Sequence, residues 1–128
     1  MNDCVVSKSI KSAIPTLRFR DIKNAILGTR YQLSVVFVGE AKARRLNKTY
    51  RDKTYIPNVL SFPLDDTHGE IFIAPRVAAR EANVRHISTR KYIAYLLIHG
   101  LLHLKGHRHG DTMEKAEKKY LKQFELYV

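Results

Sequence analysis

From residue 92 to residue 104, "YIAYLLIHGLLHL", every position is apolar, glycine or tyrosine except His99 and His103. A run of that length with no polar face predicts a helix buried on all sides. Ser88 is placed to cap its start and Gly106 to stop it, which sets the helix at about 89–105. The stretch "IPTLRFRDIKNAILG" (14–28) has apolar residues at 17, 19, 22, 26 and 27 and ends on Gly28. It predicts a helix with Pro15 near its start and a glycine stop. "YQLSVVFVG" (31–39) is β-branched and partly alternating and predicts a strand. "EAKARRLNKTYR" (40–51) returns to helical spacing with a basic outer face.

Two further short strands follow, "NVLSFPL" (58–64) and "EIFIA" (70–74), joined by the turn-forming "DDTHG". Pro75 opens a helix in "PRVAAREANV", and a last amphipathic helix follows Asp111 or Thr112, with Leu121, Phe124 and Leu126 on its buried side. The mixture predicts an α+β or α/β layer with helices packed on a small sheet. No repeat, low-complexity run or linker interrupts it, so residues 1–128 are expected to form a single domain.

Composition changes this picture little. Apolar residues make up 45%, enough for a packed core. No apolar run reaches the ~18 residues that span a membrane, and the N-terminus lacks a signal-type apolar stretch. A cytoplasmic protein is expected. Cys4 is the only cysteine, which excludes an internal disulfide and a cysteine-based zinc site.

Charge says more. Twenty-three Lys and Arg against twelve Asp and Glu give a net charge of +11. The excess is spread over residues 8–30, 40–53, 76–91 and 105–122, while 59–75 carries only the acids Asp65, Asp66 and Glu70. Such a balance favours a polyanionic partner, because each neutralised phosphate releases counterions. It does not by itself separate RNA from DNA or from an anionic membrane.

The candidate chemistry lies in the buried helix. His99 and His103 are four residues apart, so both imidazoles share one helix face and can hold one metal ion. Gly106 can turn the chain, and His109 can then return toward the pair. The offsets +4, +7 and +10 are those of the metzincin pattern. Three histidines with a vacant fourth position suit a catalytic rather than a closed structural site. Position 100, where a metallopeptidase has its glutamate base, is Gly100, so the site is built for something other than peptide cleavage. His107 falls outside the spacing and is expected on the surface, behind a ligand or against substrate. His68 and His86 receive no role.

The segment "HGLLHLKGHRH" (99–109) closely resembles the H-G-x-L-H-L-x-G-[YH]-D-H motif of YbeY-type proteins, metal-dependent endoribonucleases of bacterial rRNA maturation. "LNKTYRDKTYIPNVLSFPL" (46–64) and "GEIFIA" (69–74) resemble two more segments of that family, in the same order. The resemblance implies an α+β fold with a small mixed sheet flanked by helices. It implies one zinc-type ion on His99, His103 and His109, and a functional role for Arg51 near it. It further implies cleavage of single-stranded RNA in 16S rRNA 3′-end maturation and ribosome quality control, with rRNA and ribosomal subunits as partners. Two residues depart from the pattern. Arg108 stands where the family has Asp, and Pro57 where it has Thr, which stiffens the approach to the following strand.

A guanidinium at Arg51 can stabilise charge on equatorial phosphoryl oxygens. Ser61 is a candidate cleft residue, and Arg44, Arg45, Lys48, Lys105 and Arg108 are candidates for holding the RNA backbone. No aromatic stacking motif of RNP type is present, so target choice is expected from the ribosomal context. Three other readings compete: an RNA- or ribosome-binding assembly factor with a structural metal, a degenerate metallopeptidase, and a metal carrier.

Overall fold

The computed structural model describes residues 3–126. Four strands and five helices follow one another as β1 (Cys4–Lys8), α1 (Phe19–Leu27), β2 (Gln32–Phe37), α2 (Glu40–Arg51), β3 (Val59–Asp65), β4 (His68–Ile73), α3 (Pro75–Val84), α4 (Thr89–Lys105) and α5 (Asp111–Gln123). The sheet order is β1-β2-β4-β3. β1 and β2 are parallel, as are β2 and β4, while β3 and β4 form an antiparallel hairpin. The fold is therefore α+β around a small mixed sheet, as the family resemblance implies.

Helix α4 is the centre of the molecule. Nine of its side chains or glycines are buried, including Leu97, Ile98 and Leu101, because β3 and β4 cover one side and α1, α3 and α5 the others. Each fully buried Leu or Ile contributes roughly 1.5–3 kcal/mol. The Ser88 hydroxyl accepts the Lys91 N–H at 3.1 Å, capping the start of α4 as expected.

Two expectations fail at the N-terminal end. The helix set at 14–28 begins only at Phe19, and residues 11–18 are not helical. Pro15 biases Ile14 away from helical backbone, and Ile14 and Leu17 pack against the core from an irregular segment instead. Strand β1 has no counterpart in the reading above. "CVVSK" is too short to carry a pattern of its own, and its stability comes from pairing with Leu33–Phe37 and from Lys23. The fully buried Lys23 ammonium donates to Asp3 Oδ2 at 2.8 Å, to the Tyr31 carbonyl at 2.7 Å and to the Gly28 carbonyl at 3.1 Å. One paired cation thus ties the start of β1 to α1 and to the approach to β2.

Candidate metal centre

The C-terminal end of α4 builds the centre. Gly106 adopts a left-handed conformation (φ 105°), its N–H donates to the His103 carbonyl, and the His107 N–H donates to the Leu102 carbonyl at 2.9 Å. This pair of reversed bonds is a Schellman cap, which needs glycine at the left-handed position. The cap folds the chain back so that the His109 ring centroid lies 5.1 Å from that of His99 and 4.9 Å from that of His103. Sequence spacing anticipates this convergence.

Both helical imidazoles are held from behind. His99 Nδ1 lies 2.7 Å from Glu117 Oε2 on α5, and His103 Nδ1 lies 3.1 Å from the His107 carbonyl. A carboxylate and a carbonyl only accept, so each Nδ1 carries a proton, and in the neutral imidazole Nε2 is then the nitrogen with the lone pair. The two Nε2 atoms stand 3.1 Å apart. Two nitrogens at that distance are spaced to share one proton or to ligate one metal ion. Burial first, then the neighbouring His99 and His109, hold the His103 imidazole below its usual pKa.

The donor set therefore fits a metal ion. Donor atoms of His99, His103 and His109 all lie within 4.8 Å of one another. A tetrahedral zinc ion with ~2.0–2.1 Å bonds spaces its nitrogens about 3.4 Å apart. The helical pair is already near that spacing, and His109, exposed beyond the cap, completes the set.

The three imidazoles line a cleft of about 490 Å³, whose wall also includes Arg51, Asn58 and Ser61. No carboxylate lines this cleft among the described residues. Arg51 is exposed and ends α2, which is closed by Asp52 in a left-handed conformation. Asn58 donates to Glu81 Oε1 at 2.9 Å, and so does the buried Tyr92 hydroxyl at 2.9 Å. Glu81 thereby ties the cleft wall to α3 and α4.

Gly100 sits where α4 crosses β3 and β4. A Cβ at this position would stand 2.8 Å from Ser61 Oγ and 3.1 Å from Ile71 Cδ1, and the Ser61 hydroxyl donates to the Gly100 carbonyl at 3.1 Å. The glutamate that a peptidase carries here would be driven into the sheet, which gives a packing reason for the missing carboxylate.

Other sequence candidates fall elsewhere. Arg44, Arg45, Lys48, Lys105 and Arg108 do not line the cleft. The Arg44 guanidinium donates to the Thr54 carbonyl at 3.0 Å and so braces the loop after α2. His107 contributes its carbonyl, and His68 pairs with Asp65 at 2.8 Å beside the β3–β4 turn. Sequence reading missed Glu117, which is 6% exposed. The available signal was an acid four residues after Met113 and four before Leu121, inside the apolar stripe of α5.

Residues 5–125 match the family described as Endoribonuclease YbeY. Relatives carrying that name include one from Finegoldia magna, 38% identical over 109 residues, covering 76% of this chain and 71% of the relative. One from Chromobacterium violaceum is 34% identical over 127 residues, covering 89% and 72%. A Thermotoga maritima protein solved in solution has the same fold, with a TM-score of 0.69 at 24% identity over 94% of this chain and 88% of that one.

Proposed function

The chain belongs to the YbeY endoribonuclease family, and from that premise we propose that residues 1–128 form one domain that cuts single-stranded RNA with the help of a zinc ion. Its task is 16S rRNA 3′-end maturation and ribosome quality control in the cytoplasm, on RNA presented with ribosomal subunits. The observation that carries the reading is the pair of imidazoles on α4. Their Nδ1 atoms are tied by acceptors, and their Nε2 atoms face each other at 3.1 Å in a cleft that Arg51 also lines.

His99, His103 and His109 would hold the ion. When bound, a divalent ion supplies Lewis acidity toward a phosphoryl oxygen and acidifies water. Glu117 and the His107 carbonyl orient the two helical imidazoles by holding Nδ1, which leaves each Nε2 facing the cleft as the atom that would donate to a metal. Arg51 offers paired N–H donors to the equatorial oxygens, where charge gathers during phosphodiester cleavage. A cleft with a guanidinium and no carboxylate accepts an anionic substrate. The net charge of +11 supports the same class by drawing a polyanion to the surface. Among the described residues, no helix is long and apolar enough to cross a membrane.

The test is cleavage of an RNA carrying the 16S 3′ end by the purified, metal-loaded protein, with and without ribosomal subunits. Cleavage at the mature end only when subunits are present is expected. Site-specific cutting of a short naked RNA would remove the ribosomal part of the proposal, and no cutting in either case would remove the activity.

A further inference from the structure

Five large apolar side chains are substantially exposed among the described residues, and Tyr55, at 56%, is the one that lines the metal cleft. A single exposed ring is ordinary on a protein surface. What sets this one apart is how firmly its backbone is held. The Tyr55 carbonyl accepts from Asn47 Nδ2 at 3.0 Å, and Asn47 is fully buried in α2. The Thr54 carbonyl accepts from Arg44 Nε at 3.0 Å, and the Lys53 N–H donates to the Asn47 carbonyl at 3.3 Å. Two residues further on, the buried Pro57 fixes its own φ and restricts Ile56. Three hydrogen bonds and a proline thus present an aromatic ring to solvent at the wall of the cleft. Tyr50, by contrast, has an edge contact with Phe62 at 5.4 Å that gives its ring a packing role.

The same cleft fixes the chemistry of the occupant. Arg51 and three imidazoles suit an anion, while the Tyr55 ring suits a flat aromatic face. A nucleotide carries both groups on one sugar. We propose that Tyr55 is a stacking platform for an unpaired nucleobase next to the scissile phosphate, a positioning residue for the substrate. This inference rests on the endoribonuclease reading and deepens it. It also gives a physical source for single-strand preference, since a base inside a duplex has both faces covered by its neighbours. Recognition by stacking tolerates any base, because every base has such a face.

The chain has no tryptophan, so Tyr55→Trp creates a single indole reporter at the site. Wild type, Tyr55→Ala, Tyr55→Phe and Tyr55→Trp, all zinc-loaded, are compared on a short single-stranded oligonucleotide and on the same strand annealed to its complement. Removing the ring should raise KM by roughly 5- to 150-fold, the range seen when a base-stacking ring is truncated, with a smaller change in kcat. Tyr55→Phe, which keeps the ring, should restore wild-type KM. The emission of Tyr55→Trp should be quenched by the single strand and not by the duplex. Unchanged KM in an active Tyr55→Ala protein, or an emission that saturating single strand leaves unmoved, overturns the inference and spares the nuclease. A wild type that neither binds nor cuts single-stranded RNA, with ribosomal subunits present or absent, overturns both.

Discussion

Glu117 Oε2 stands 2.7 Å from His99 Nδ1, so α5 fixes the orientation of an imidazole carried by α4. The carboxylate is almost fully buried, a costly position unless it is hydrogen-bonded. The contact makes the geometry of the histidine cluster depend on a helix that contributes no residue to it.

Glu117→Ala should therefore weaken metal binding by ~10–100-fold, and Glu117→Gln by less, because the amide oxygen can still accept the Nδ1 proton. Competition against a chromophoric chelator measures this. Equal affinity in all three proteins would show that the contact serves packing alone.

Arg51→Ala should lower kcat by roughly 10²–10³-fold, as expected when a donor to developing charge is removed. Metal content should be unchanged. Arg51→Lys keeps the charge but loses the planar fork and should recover only part of the rate. A rise in KM with kcat intact would instead assign Arg51 to ground-state binding.

Gly100→Ala brings a methyl against Ser61 Oγ and Ile71 Cδ1. Overpacking of this kind costs ~1–3 kcal/mol, against a gain of about 1 kcal/mol from replacing glycine within a helix. A net loss of about 1 kcal/mol is expected in urea unfolding. Adding Ser61→Ala should return part of it, since the closest clashing atom is gone, and a double-mutant cycle with no coupling would contradict the packing account.

Burial, aided by the hydrogen bond to Glu81, pushes the Tyr92 hydroxyl up to about 12. A folded-state pKa above the unfolded value of about 10 means that the native chain holds this proton more tightly. The associated stability is fully present below about pH 10 and is lost as pH rises through about 12. Tyr92→Phe has no such proton to lose. Its stability should decline less between those limits, which thermal melts across alkaline pH will show; parallel declines would refute the assignment.

The convergence of the three histidines was legible because its geometry is local. His99, His103, Gly106 and His109 lie within eleven residues, and helix periodicity followed by a glycine cap brings them together. The buried character of α4 was equally plain from a run with no polar face. What escaped depended on distant parts of the chain. β1 exists through its pairing with β2 and through Lys23, and neither can be read from "CVVSK". The apolar spacing at Ile14 and Leu17 mimicked a helix but reflects packing of an irregular segment onto the core. Arg44 read as a phosphate-binding base, whereas its guanidinium braces the loop that carries Tyr55. Glu117 is eighteen residues from its partner, and only its place in the buried stripe of α5 hinted at a role.

The most direct test of the account pairs metal content with single-stranded RNA cleavage in wild type and His103→Ala purified side by side. One zinc ion per wild-type chain is expected, with both metal and cleavage lost in the variant while circular dichroism shows the fold retained. A wild type without bound metal, or a folded His103→Ala protein that cuts RNA at the wild-type rate, would contradict it.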